Sequence, residues 1–297
     1  MIQYPALFLH GNFPFNAHLN ADGSANEPAV FATTVIDQVL QNPAFRDLRD
    51  PYHLTQGGQL GRVHKGMRVL QINGRIVGPE GATREASLSD TERRMRAAFD
   101  PSICYRDSPS SDGAYQFQFT EPTLDTANYA NGRIPLQHWL RPIQQPFIAD
   151  ERDDAGSKPF RLALLAADPR AYDQTEQTLS TLTSGSVVNL GNTAAPLKVT
   201  VTMNGAGSST FTITRASVAC IFNLSGFANN DVLIVVMETC APYGRGKYIT
   251  KNGTENAPLK TSAASTWLDV PTGSTTFTLS NTTNVRSCVL AWYSARA

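Results

Sequence analysis

From Leu197 to Met203 the chain alternates without a break between apolar residues (Leu197, Val199, Val201, Met203) and polar ones (Lys198, Thr200, Thr202). Successive side chains of a strand point to opposite faces, so a period of two builds one apolar face and one hydroxyl-rich face; a helix would scatter the same residues around its axis. The pattern returns with Phe211 and Ile213 among Thr210, Thr212 and Thr214, and with Phe277 and Leu279 among Thr276, Thr278 and Ser280. Val232 to Met237 is apolar throughout, as a central strand covered on both faces would be. Turn chemistry separates these runs at Asn204-Gly205-Ala206-Gly207, Ala228-Asn229-Asn230, Asn252-Gly253 and Pro271-Thr272-Gly273. About eight or nine strands at this spacing predict a jelly-roll or galectin-like β-sandwich.

Composition marks where that sandwich begins. Residues 1–176 carry 17 basic and 21 acidic residues, a net −4, whereas 177–297 carry 8 and 4, a net +4. Beyond Glu176 only 12 of 121 residues are charged and 33 are Ser or Thr, which suits short strands and turns. Two domains are expected, 1–176 and 177–297, with a linker at Asp173 to Gly185.

The first domain reads as β-rich with one helix. Arg68 to Gly78 is expected to form two short strands meeting at Asn73-Gly74, a local hairpin signal. Ser89 to Glu92 fits a capping box, which predicts a helix over 89–99 stopped by Asp100-Pro101, with Leu88, Met95, Ala98 and Phe99 inward and Arg93, Arg94 and Arg96 outward. The β-branched run Thr33-Thr34-Val35-Ile36 tilts Ala29 to Leu40 toward strand. Residues 101–114 and 141–159, rich in Pro, Ser, Asp and Gln, are expected as long loops or arms.

Several functions find little support. With 25 basic and 25 acidic residues the chain has no general positive field for nucleic acid, and its longest apolar run, Val232 to Met237, has strand length. Polar and Pro residues interrupt the first twenty positions, so no Sec-type export is expected. Cys104, Cys220, Cys240 and Cys288 are too widely spaced for a CxxC site and read as buried thiols. The sequons at Asn223, Asn252 and Asn281 read as products of an Asn/Thr-rich β domain. There is no G-x-S-x-G, H-E-x-x-H or G-x-G-x-x-G; Gly244 to Tyr248 fails as a P-loop because Tyr248 replaces the magnesium-holding hydroxyl. The acidic run Asp150, Glu151, Asp153 and Asp154 is expected to be a solvated loop rather than a calcium site. Asp168 and Asp173 could pair for glycoside chemistry, but Asp168-Pro169 is better read as a turn after the apolar run Leu162 to Leu165.

The order of features resembles a family. Gly57-Gly58-Gln59-Leu60-Gly61, then Gly66 to Ile76, then the helix, then Phe160 to Tyr172 is similar to the distal tail proteins of long-tailed, non-contractile phages. Val188-Asn189-Leu190-Gly191-Asn192-Thr193-Ala194-Ala195-Pro196 and Trp267 to Gly273, closing at Trp292-Tyr293, resemble that family's C-terminal segment. The resemblance covers most of 54–297 and implies a structural virion component of the tail tip, assembled in the host cytoplasm, with no enzymatic activity and no cofactor. It implies a first domain that closes into a ring, usually a hexamer, between the tail tube protein and the tail-tip hub protein. A galectin-like second domain would then project outward, toward a receptor-binding protein or a host glycan. Gly66, Asn73, Gly74, Asp168, Pro169, Tyr172, Trp267 and Trp292 are the structural positions of these motifs. Arg62, Arg68 and Arg75 stand as candidate subunit contacts, equally readable as solvated charges, and a charge swap at Arg68 is expected to spare the fold.

Two other classes stay open. A carbohydrate-binding module or adhesin would use Trp267, Trp292, Tyr243 and Tyr248 as sugar-stacking rings, although Trp292 alternates with Cys288 and Leu290 and so reads as core. A hydrolase with a β-sandwich appendage would need a nucleophile, base or metal constellation, and none is visible.

Overall fold

The computed structural model describes residues 8–10, 13–15, 29–32, 45–46, 64–65, 68–77, 84–102, 114–150, 157–207, 210–238, 240–243, 248–255 and 265–296. It is mainly β, built from several antiparallel sheets and one long helix. Two compact units divide it, Met1–Arg170 with Ala297, and Ala171–Arg296.

The first unit opens with short strands: β1 (Phe8–His10) pairs β2 (Phe13–Phe15), and β3 (Ala29–Ala32) is followed by β4 (Phe45–Arg46), which pairs β5 (His64–Lys65). Longer elements follow: β6 (Arg68–Val77), α1 (Arg84–Ala98), β7 (Tyr115–Pro122), β8 (Arg133–Pro142), β9 (Phe147–Ile148) and β10 (Ser157–Ala166). Within this unit the main sheet runs β8-β10-β6-β3, with β7 on β8 and β9 on β10.

The turn expected at Asn73-Gly74 does not form. β6 is one strand, paired with β10 at every position from Arg68↔Ala166 to Val77↔Ser157. Gly74 sits between Phe160 of β10 and Ala32 of β3, so two partner strands hold extended a dipeptide that by itself favours turning.

The helix also differs from expectation. It begins at Arg84, so Ser89 lies inside it and is no cap. Leu88, Thr91, Met95 and Phe99 bury one stripe at helical spacing. Glu92 bonds Lys158 of β10 at 2.8 Å and Arg96 at 3.0 Å, tying the helix to the sheet instead of closing a capping box. Arg93 and Arg94 face solvent. Of the expected loop at 141–159, residues 143–149 run along β10: Ile143 donates to the Ala163 carbonyl, Phe147 pairs Arg161, and Ala149 donates to the Pro159 carbonyl. Residues 33–40 and 103–113 lie outside the described residues.

The second unit starts with β11 (Ala171–Asp173), β12 (Gln177–Ser180), β13 (Ser184–Asn189), β14 (Ala195–Met203), β15 (Phe211–Arg215) and β16 (Val218–Phe222). It continues with β17 (Val232–Val236), β18 (Tyr248–Lys251), β19 (Thr254–Glu255), β20 (Asp269–Val270), β21 (Gly273–Ser280), β22 (Val285–Trp292) and β23 (Ala295–Arg296). One sheet is ordered β12-β22-β14-β17-β18-β19, the other β13-β21-β15-β16. Leu197, Val199, Val201 and Met203 of the first and Phe211, Ile213, Phe277 and Leu279 of the second are buried, as their alternation requires of a sandwich. β17 is central, between β14 and β18. Asn252 and Gly253 both have positive φ (51° and 79°) and turn β18 into β19, the geometry an Asn-Gly hairpin selects. Asn281 also has positive φ, and the Asn223 side chain accepts from the Ser225 amide, so all three sequon asparagines serve turns.

The segment expected as a linker, 173–185, is built into the second unit. Asp173 donates its amide to the Ser294 carbonyl, and β12 pairs β22 from Gln177↔Trp292 to Ser180↔Val289. The side chain of Asn189, 1% exposed, anchors the unit's C-terminal strand. Its Nδ2 donates to the carbonyls of Thr193 (2.8 Å) and Val270 (3.0 Å), and its Oδ1 accepts from the amides of Gly191 (2.9 Å) and Ala295 (3.3 Å). Gly191 lies so close to the Ala295 backbone that any β-carbon there would collide with it. Trp292, 5% exposed, donates its indole N–H to the Val188 carbonyl at 3.0 Å.

Two outcomes follow from this arrangement. A fragment of residues 171–296 expressed alone is expected to unfold in one cooperative transition, while a fragment of 186–297, lacking β11, β12 and the start of β13, melts at lower temperature; equal midpoints by circular dichroism would contradict the boundary. Asn189→Ala leaves buried backbone groups unsatisfied and is expected to cost about 3 kcal/mol or more in chemical denaturation. A loss below about 0.5 kcal/mol would show that Asn189 anchors nothing.

Candidate functional site

Because β6 and β10 pair without interruption, the period of two sorts their side chains onto two faces. Leu70, Ile72 and Ile76 of β6 and Phe160, Leu162 and Leu164 of β10 point inward, where α1 packs against β6. The other face carries Val69, Gln71, Asn73 and Arg75 opposite Leu165, Ala163, Arg161 and Pro159. On it Gln71, Asn73, Ala163 and Leu165 are half-buried. Val69 is 58% exposed there, and the segment along β10 adds Ile143 (49%) and Phe147 (65%). Arg75 and Arg161 are exposed on the same face, Arg141 is half-buried opposite Leu165, and the paired positions named here include no acid. Val69 lies on the β6 flank of β10, and Ile143 and Phe147 lie on its other flank.

A second feature projects from the same unit. β7 and β8 form a hairpin with eight paired positions, Tyr115↔Leu140 to Pro122↔Arg133. Its end loop is closed by bonds from Thr123 N to Gly132 O (2.9 Å) and from Gly132 N to Tyr129 O (2.8 Å). Asp125 accepts from the amide and side chain of Asn128 at 3.2 and 2.8 Å. This ordered tip presents Leu124, 100% exposed.

The three arginines considered as subunit contacts separate. Arg62 lies outside the described residues, as does Gly66. Arg75 is exposed on the open face, its Nη1 3.4 Å from Ser157 Oγ. Arg68, seven residues earlier in the same strand, is on the inward face and only 5% exposed, so the expectation that a charge swap there spares the fold is corrected. Burial holds its guanidinium below the ordinary value. Arg68 contributes to the field at His138, which is fully buried on β8 and feels Asp168 with the opposite sign. Asp168 makes a two-pronged ion pair with Arg170 (2.9 and 3.2 Å) and also accepts from the Arg170 amide at 3.1 Å, which shapes the turn at Asp168-Pro169. Tyr172 is fully buried in the second unit.

Among the described residues no group of His, Cys, Asp or Glu could hold a metal ion, and no helix is long and apolar enough to cross a membrane. Cys220, Cys240 and Cys288 are buried free thiols, and burial pushes Cys220 and Cys288 up to about 12, where they stay protonated. The aromatic platform fares no better. Trp292 is core, and Tyr243 packs against Tyr293 (5.6 Å between ring centres) beneath the Lys198 ammonium (5.2 Å), its hydroxyl strongly raised by burial. Tyr248 and Trp267 are half-buried.

Sequence reasoning missed Val69, Ile143, Phe147 and Leu124. For Val69 a signal existed: it occupies the outward parity of a strand whose inward parity is already apolar at Leu70, Ile72 and Ile76.

No family model matches the sequence, and no curated protein matches it. The chain has the fold of the SPP1 Dit protein (gp 19.1), described as a paradigm of the hub adsorption apparatus in phages infecting Gram-positive bacteria. The TM-score is 0.59 at 13% identity, covering 97% of this chain and 98% of that one. Chains of the phage p2 baseplate in its activated conformation align at TM-scores of 0.45 and 0.44 with 7% identity. They cover 99% and 97% of this chain and 98% and 97% of theirs, a similarity too low to carry an argument.

Burial lowers His138 from its ordinary 6.5 to about 4, so between these values the folded chain keeps it neutral while the unfolded chain binds a proton. Stability therefore falls as pH drops through this window, with a slope from this one group approaching about 1.4 kcal/mol per pH unit, and the contribution is flat below it. Urea unfolding of parent and His138→Phe from pH 7 to 4 is expected to show a shallower slope in the variant. Parallel slopes would contradict a neutral buried His138.

Proposed function

We propose that this chain is a non-enzymatic structural component of a phage tail tip, a distal tail protein. Copies close into a ring, most simply of six, through their first units, and the ring joins the tail tube protein to the tail-tip hub protein. The second unit, whose polar groups and thiols are largely spent on its own fold, projects toward a receptor-binding protein or a host surface. The observation that carries this reading is the correspondence in fold with the SPP1 Dit protein along nearly the whole of both chains. A sheet face with exposed apolar groups and arginines also suits a protein that works by contacting its own kind. Assembly in the host cytoplasm and incorporation into the virion complete the proposal.

Native mass spectrometry of the purified chain tests it. At about 10 μM the expected species is six copies of the 32.2 kDa chain, near 193 kDa. A 32.2 kDa monomer persisting over a hundredfold rise from that concentration would reject the ring.

A further inference from the structure

We propose that Asn204 is a site of spontaneous covalent modification, its side-chain amide converting to a carboxylate through attack by the Gly205 backbone nitrogen. The reaction is deamidation by way of a cyclic imide, and it is independent of the tail-tip reading. Asparagine followed by glycine favours it, because glycine has no β-carbon to screen its nitrogen from the preceding side chain. Four such pairs occur, Asn73-Gly74, Asn131-Gly132, Asn204-Gly205 and Asn252-Gly253. The fold treats them differently.

Three are guarded. Asn73-Gly74 is extended within β6, and Gly74 is buried between Phe160 of β10 and Ala32 of β3, so bending its nitrogen toward the Asn73 side chain would break the ladder on both sides. At Asn252 the reacting amide is held at both ends: Oδ1 accepts from the Val232 amide at 2.8 Å, and Nδ2 donates to Asp231 Oδ1 at 2.7 Å. Turning that group toward Gly253 gives up both bonds, one of them to a charged acceptor. At Asn131 the nucleophile is engaged, since the Gly132 N–H donates to the Tyr129 carbonyl at 2.8 Å and is held from losing its proton.

Asn204-Gly205 has none of these guards. Asn204 is exposed in the turn that leaves β14. Its own N–H is fixed to the Asn284 carbonyl at 2.7 Å, whereas the Gly205 N–H makes no hydrogen bond among the described residues. The polar group nearest its side chain is the Arg286 guanidinium, whose Nη2 stands 3.5 Å from Asn204 Oδ1 and 3.3 Å from Asn229 Oδ1. A cation beside Oδ1 favours the reaction, because addition to Cγ gathers negative charge on that oxygen.

The Gly205 nitrogen, its proton taken by hydroxide, bonds to Asn204 Cγ; the Cγ–Nδ2 bond breaks and ammonia leaves, closing a five-membered imide. One water opens the imide at either carbonyl and yields aspartate or isoaspartate, so the sum is one water consumed and one ammonia released, with no oxidant or cofactor. The new carboxylate lies beside Arg286, outside the β14–β22 ladder that ends at Met203↔Val285.

Peptide mass spectrometry of the full chain, aged in mildly alkaline buffer with and without urea, tests this. In the folded chain Asn204 is expected to convert about tenfold or more faster than Asn73 and Asn252, and ahead of Asn131, while in urea the four rates converge. Gly205→Ala is expected to slow conversion in the folded chain by about tenfold, because a β-carbon screens the nitrogen. Conversion of Asn131 or Asn252 ahead of Asn204 in the folded chain, or an Asn204 that stays intact while the urea sample converts, overturns the proposal. A rate unchanged in Arg286→Gln overturns the part given to the guanidinium.

Discussion

Ten consecutive rungs between β6 and β10 decide what the first unit can offer another molecule. Side chains alternate along a strand, so once α1 and the core claim Leu70, Ile72 and Ile76, the residues between them share the other face. A solvated sheet face carries mostly polar groups. Here it carries Val69 among arginines, and the chain lays Ile143 and Phe147 along the other flank of β10. The Lys158–Glu92 ion pair, on the opposite side, fixes the helix so that the covered face stays covered. The asymmetry of the sheet is therefore a property of backbone pairing, with no catalytic group required.

The second unit spends its polar chemistry differently. Asn189 uses both donors and its acceptor oxygen on backbone groups far apart in the chain, and Ser294 adds a bond to the Leu190 amide at 3.1 Å. Arg296 reaches Asp173 at 3.3 Å, so the last strand of the unit is held from both sides. A buried polar network satisfied in this way specifies one arrangement of strands.

How much of this was legible depended on range. Alternation at Leu197 to Met203, Phe211 to Ile213 and Phe277 to Leu279 is a nearest-neighbour signal, and it read directly as strands with the correct inward residues. Asn252-Gly253 is a two-residue signal and marked its hairpin. Asn73-Gly74 carries the same dipeptide, yet β3 and β10, distant in sequence, hold it extended. The Ser89–Glu92 box was misleading because Glu92 answers to Lys158, sixty-six residues away, and burial of Leu88 favours an earlier start to the helix. Arg68 and Arg75 looked alike as cations; only an uninterrupted strand, in which a separation of seven reverses the face, tells them apart. Asn189 stood in a motif already noticed, but its partners Val270 and Ala295 lie 81 and 106 residues further on and leave no local trace.

Hydroxyl-radical footprinting of the chain before and after assembly addresses the open face most directly, since side-chain oxidation tracks solvent contact residue by residue. The account predicts that Val69, Ile143 and Phe147 are oxidised readily in the dilute monomer and protected in the assembled state, while Leu182, exposed in the second unit, is unchanged. Undiminished oxidation of Phe147 and Ile143 in a verified assembly would mean that copies meet elsewhere and that the open face serves no contact between them.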